Sequence, residues 1–153
     1  MDTGKLKKFA VKARADLLDQ VAARLEYVLN SDTAELRAQA KIVAELKKQI
    51  AATSKEAVVD RVAYTWFNRF CALRFMDINR YTRIGIVSPA EGATQPEILA
   101  EAKRANIDPE VVSPRIRESV SGLLNGTRRS DDPQGEAYAL LLVEYCRQWN
   151  RAM

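Results

Sequence analysis

The chain has 153 residues and no histidine. That absence removes the side chain most used for proton transfer near neutral pH, and the commonest metal ligand with it. Its two cysteines, Cys71 and Cys146, lack the close spacing of a metal-binding pair. Each lies in an apolar run, where a thiol packs as a small hydrophobe, so the expected setting is reducing and cytoplasmic, with no disulfide. No Gly-x-Gly turn follows a strand-like run, which excludes a dinucleotide or S-adenosylmethionine cradle of the familiar kind. Ser54, Ser113 and Ser119 have no base to activate them. No apolar run is long enough for a membrane span, and Met1 to Leu29 mixes charged with apolar residues as no signal peptide does. The chain alone is therefore expected to be non-catalytic, to hold no cofactor and no metal, and to avoid membranes.

What is present favours helices. Hydrophobic residues make up 47% of the chain, with only 6 glycines and 5 prolines. The expected fold is all-α, a single helical domain of about six helices with one long loop. A buried central helix, Ala57 to Asn79, organises it. Val58, Val62, Trp66, Phe70 and Leu73 share one side of that helix, and Val59, Tyr64, Phe67, Cys71 and Phe75 spread over the rest. A helix apolar on nearly all sides belongs in a core. Lysine and arginine number 24 against 20 carboxylates, for a net charge of +4. That balance suits contact with nucleic acid or an acidic protein, and suits an ordinary solvated surface equally.

Taken in order, Gly4 to Leu29 reads as an amphipathic helix with Leu6, Phe9, Ala13, Leu17, Val21, Leu25 and Val28 inward. Lys5, Lys8 and Lys12 line another side; basic residues in a first turn oppose the helix dipole, and phosphate contact or simple solvation would each account for them. Asn30-Ser31-Asp32-Thr33 is a break with N-cap chemistry, followed by a second helix from Ala34 to about Ala52, and Thr53 with Glu56 forms a candidate capping box for the central one. Arg80 to Gln95 is the long loop. Arg80, Tyr81 and Arg83 make its basic-aromatic cluster, and Thr82 to Val87 is a candidate short strand. Pro96 to Asn106 is a short helix. Ser113 and Pro114 open the next, which Gly126 closes, with Arg115, Arg128 and Arg129 along or beyond it. The last helix starts at Glu136 and turns Tyr138, Leu141, Leu142, Tyr145, Cys146 and Trp149 inward.

Within the central helix Arg69 shares the face of Val62, Trp66 and Leu73. A guanidinium there implies a buried bridge to Glu118, Glu136, Glu144 or another carboxylate brought near by the fold, or else a groove into which Asn68 and Arg69 project. Trp66 and Phe67 are core aromatics or stacking surfaces for bases.

The run Ala63-Tyr64-Thr65-Trp66-Phe67-Asn68-Arg69-Phe70-Cys71-Ala72-Leu73-Arg74-Phe75-Met76 resembles a segment near the N-terminus of PglX-type enzymes, the adenine-specific DNA methyltransferases of BREX phage-resistance systems. Leu6 to Arg14 resembles the start of the same proteins, and Leu140 to Cys146 a following helix. Tyr64, Trp66, Phe67, Asn68 and Arg69 carry the core of the resemblance. It implies a helical N-terminal domain of a longer chain whose methyltransferase domain lies beyond residue 153. The whole enzyme would transfer a methyl group from S-adenosylmethionine to the exocyclic amine of adenine, marking host DNA. The Asn-Pro-Pro-Tyr motif expected of such enzymes is missing, since no Pro-Pro occurs. The domain would then aid DNA backbone contact through Lys5, Lys8, Lys12, Arg80, Arg83, Arg115, Arg128 and Arg129. Alternatively it docks an acidic partner, another BREX protein or a phage DNA-mimic inhibitor, or it caps the catalytic domain.

Overall fold

The computed structural model describes residues 3–152, and the side chains of residues 3–150. Its seven helices and the absence of any strand among the described residues make the fold all-α, as composition implies. The chain divides into two compact units, Met1–Cys71 and Ala72–Met153.

The first unit holds α1 (Thr3–Asn30), α2 (Ala34–Ala38), α3 (Ala40–Ala52) and the larger part of α4 (Lys55–Ile78). Of the break Asn30 to Thr33 it is Thr33 that caps α2, its Oγ1 accepting from Leu36 N at 3.3 Å. The expected single helix from Ala34 to Ala52 is broken at Gln39, whose N–H turns back to Glu35 and Leu36 carbonyls. The cap of α4 is Ser54, accepting from Ala57 N at 3.0 Å; Thr53 instead donates to Gln49 O at 2.8 Å, so no Thr53–Glu56 box forms. Across chain-distant segments, Lys55 pairs with Glu26 at 2.8 Å and Arg61 donates to Gln49 at 2.6 Å.

Burial in α4 is much narrower than its apolar sequence implies. Val58, Ala63 and Leu73 are buried, Trp66, Phe67 and Phe70 are half-buried, and Tyr64, Cys71 and Phe75 are exposed. The composition that reads as core is therefore surface along much of this helix, and Cys71 is not a buried thiol. Arg69 is exposed as well; its guanidinium lies 5.1 Å from the Trp66 ring centroid, a cation–π contact in place of the expected buried bridge. The seam of α1 also deepens only towards its end: Leu25 is buried, while Phe9 is 67% exposed.

The second unit has the denser core. It comprises the end of α4 with α5 (Glu97–Lys103), α6 (Pro114–Leu124) and α7 (Pro133–Ala152). Ile98, Leu99, Val112, Val120, Leu123, Leu141, Leu142 and Tyr145 are buried together with Ile86 from the long loop. The inward stripe expected for α7 is present, with Tyr138, Cys146 and Trp149 half-buried at its margin. Pro114 opens α6 at its first position, but Ser113 makes no side-chain cap. Gly126 follows its end at φ 81°, where a side chain would be strained. Asp132 caps α7 by accepting from Gly135 N at 2.9 Å, and a Cβ at Gly135 would collide with that carboxylate.

Candidate functional site

The Arg80 to Gln95 segment is more ordered than a loop reading implies, and one carboxylate accounts for it. Asp77 sits in the last turn of α4, where a negative charge opposes the helix dipole. Its Oδ1 accepts from Thr82 Oγ1 at 2.9 Å and Ile86 N at 3.1 Å. Its Oδ2 accepts from Val87 N at 2.9 Å and Ser88 N at 3.0 Å. Residues 82–88 therefore wrap a carboxylate, and the expected strand over Thr82 to Val87 does not form. Burial pushes the Asp77 pKa up, but the donors from Ile86, Val87, Ser88 and Thr82 prevail and hold it below the ordinary value.

Neighbouring contacts lock the same wrap. Ile86 is fully buried, and its carbonyl accepts from Tyr138 Oη at 3.1 Å. Arg74 donates to Ser88 Oγ. Gly85 N donates to Glu97 at 2.7 Å, and a Cβ at Gly85 would strike the Ser88 carbonyl oxygen. The first turn of α5 returns the favour, with Glu97 N on Ser88 O at 3.0 Å and Ile98 N on Gly85 O at 3.1 Å. Sequence reasoning missed Asp77. Its signal was an acid at the wrong end of a helix, five residues before a threonine.

This framework presents the basic-aromatic cluster. The end of α4 closes through Arg80 N on Asp77 O and Tyr81 N on Met76 O, a Schellman arrangement that puts Arg80 at φ 57° where glycine is usual. Arg80, Tyr81 and Arg83 are exposed, and Tyr81 packs edge-on against Phe75 at 6.0 Å. Arg83 lines a cavity of about 270 Å³ with Tyr81, Asp108, Glu110, Tyr145 and Trp149. Glu110, Val111 and Gln148 also line a second depression, which contains Arg115. Arg83 and Arg115 thus flank one turn. Arg128 and Arg129 line a separate groove with Asp131 and Glu136. Arg115, Arg128 and Arg129 are all exposed.

In the first unit, Lys5, Lys8 and Lys12 are exposed at helical spacing on α1. Lys12 pairs with Asp16 at 2.9 Å, and that carboxylate raises its pKa. Of the residues carrying the family resemblance, Tyr64, Asn68 and Arg69 face solvent while Trp66 and Phe67 are half-buried. Among the described residues no group of histidine, cysteine, aspartate or glutamate has the arrangement of a metal site. No described helix is long and apolar enough to cross a membrane.

Two known proteins match the chain from end to end. One is the adenine-specific methyltransferase PglX of Lacticaseibacillus casei (strain Zhang), 25% identical over 183 aligned positions that include 98% of this chain. The other is the adenine-specific methyltransferase BrxX of Escherichia coli O9:H4 (strain HS), 28% identical over 177 positions and all of this chain. The chain is similar to adenine-specific methyltransferases. It is a small part of them, spanning 15% of the first and 14% of the second. No family model matches, and neither does any solved structure. The similarity to PglX and BrxX covers 98% and 100% of the chain, well past the aromatic run of α4.

Proposed function

We propose that this chain is the non-catalytic N-terminal helical domain of a BREX adenine-specific DNA methyltransferase, and that it holds the DNA backbone while the rest of the enzyme performs methyl transfer. The observation that carries this reading is the end-to-end similarity to PglX and BrxX over only 15% and 14% of their lengths. The parent would bind S-adenosylmethionine in a domain beyond residue 153 and methylate the exocyclic amine of an adenine taken out of the stack. It would work in the cytoplasm, on double-stranded DNA.

Phosphate contact supplies affinity that depends on salt and ignores sequence. Arg80 and Arg83 suit that role because Asp77 and the α5 turn fix the backbone that presents them, so little ordering cost remains at binding. Arg115 adds a third charge on the adjoining depression. Lys5, Lys8 and Lys12 would extend the contact from α1, and Arg128 and Arg129 from their own groove.

The test is methyl transfer from labelled S-adenosylmethionine. The chain alone should transfer nothing. A full-length parent carrying Arg80→Ala and Arg83→Ala should show a raised KM for DNA with kcat unchanged. Transfer by the chain alone, or a loss of kcat at unchanged KM, would overturn the reading.

A second reading is favoured by one observation. Leu6, Phe9 and Val11 of α1, Ile42 of α3 and Tyr64 of α4 are each more than half exposed on the first unit. That surface fits a structural cap that packs on the catalytic domain. Docking of an acidic partner, another BREX protein or a DNA-mimic inhibitor would use the same basic residues as DNA does.

A further inference from the structure

The cavity beside Arg83 has a lining that backbone contact with DNA does not explain. Sites for phosphate are built from donors and positive charge. This one sets two carboxylates, Asp108 and Glu110, against a single arginine, and adds three aromatic side chains, Tyr81, Tyr145 and Trp149. Neither carboxylate takes part in an ion pair among the described residues, and neither does Arg83. Asp108 accepts from Glu110 N at 2.9 Å, which holds both acids on one tight turn.

Aromatic faces carry negative charge density and attract cations, and the attraction grows as water is excluded. Tyr81 is exposed and Trp149 half-buried, so both rings are within reach of a ligand, while Tyr145 is buried. Burial raises its phenol pKa, and the negative charge of Asp108 raises it further, so the Asp108 field is felt at that ring. Rings and unpaired carboxylates in one concavity form a receptor for an organic cation. A guanidinium suits it better than an ammonium, because it is flat, stacks on rings and forks onto carboxylate oxygens.

We propose that this cavity binds a guanidinium group, with Asp108 and Glu110 as its counter-charges and Tyr81 and Trp149 as its walls. This goes beyond the methyltransferase reading and does not depend on it. Arg83 then has two opposed effects: it attracts phosphate, and it repels the incoming guanidinium.

The test uses the 153-residue chain with Trp66→Phe, which leaves Trp149 as the one tryptophan. Its fluorescence is followed during titration with a capped Gly-Arg-Gly peptide, the same peptide with citrulline for arginine, agmatine, and adenosine monophosphate. The expected result is a saturable change with the arginine peptide and with agmatine, and none with citrulline; tighter binding of the peptide marks a protein-borne arginine as the source, tighter binding of agmatine a small guanidinium. Glu110→Gln should weaken the peptide by about ten-fold, and Asp108→Asn with Glu110→Gln by more. Glu110→Gln alone removes a carboxylate without touching the Asp108 turn, so it guards against a folding defect in the double variant. Arg83→Ala should tighten the peptide while loosening duplex DNA, which separates this proposal from DNA contact. Absence of a saturable change, equal binding of citrulline, or adenosine monophosphate bound in its place would each overturn it.

Discussion

Replacing Asp77 with alanine removes one carboxylate and strands four donors. Thr82 Oγ1, Ile86 N, Val87 N and Ser88 N all lie within 3.1 Å of it. A hydrogen bond to a charged group is worth about 1.5–3 kcal/mol, and a buried donor left without a partner costs about 1–3 kcal/mol. These figures do not add, because the wrap can open and let water reach the freed donors. A net cost of about 2–3 kcal/mol follows, well below the sum, and for a unit of this size it lowers Tm by roughly 10–20 °C. Asp77→Asn keeps one acceptor oxygen but turns an amide towards the other donors, so it should fall between alanine and the parent sequence.

The pH dependence has a definite sign. The folded pKa of Asp77 lies below the ordinary 3.8, so its contribution is complete above that value and is lost as pH falls through the lowered folded value. The assay is thermal unfolding read by Trp149 fluorescence in a Trp66→Phe background, from pH 7 down to acid. Asp16→Ala is the control, since its pair with Lys12 is solvent-exposed and should leave the midpoint unchanged. An Asp77→Ala midpoint within about 2 °C of the parent would refute the view that this carboxylate organises the segment.

Further outcomes follow from the same framework. Gly85→Ala should destabilise by about 1–3 kcal/mol in urea unfolding, because its Cβ meets the Ser88 carbonyl. Tyr138→Phe should cost about 0.5–1.5 kcal/mol by the same measurement, for the lost bond to Ile86 O. The parent should also lose stability as pH rises from 10 towards 12, since burial first and then Asp77 and Cys146 push the Tyr138 phenol up to about 12, keeping it protonated in the fold. Arg80→Gly should raise stability by about 0.5–1 kcal/mol by relieving the left-handed backbone at φ 57°, while weakening duplex binding. If the exposed apolar side chains of α1 pack on another domain, the isolated chain should self-associate in sedimentation experiments, and Phe9→Glu should suppress it.

The helices were largely legible because their apolar spacing and caps are local. Thr33, Pro114 and Gly126 each mark a helix end by chemistry that needs no knowledge of the fold. The burial of α4 was not legible. Its residues are apolar on most sides, and periodicity cannot tell a helix surrounded by its own chain from one with Tyr64 and Phe75 left in solvent. Arg69 illustrates the same point: a cation among apolar residues implies a buried partner only if the face is buried, and here the guanidinium rests on Trp66. The Asp77 wrap depends on backbone donors, which every residue carries and no composition reveals. In the candidate site, Arg80, Tyr81 and Arg83 stood out as a local cluster, whereas Asp108, Glu110, Tyr145 and Trp149 join Arg83 only through the fold.

The most direct test of DNA contact is fluorescence anisotropy of a labelled duplex titrated with this chain across a salt series. Log affinity should fall linearly with log salt and ignore sequence, and Arg80→Ala with Arg83→Ala should shrink that slope by about 2. No binding even at low salt, or an affinity that the two substitutions leave unchanged, would contradict the account.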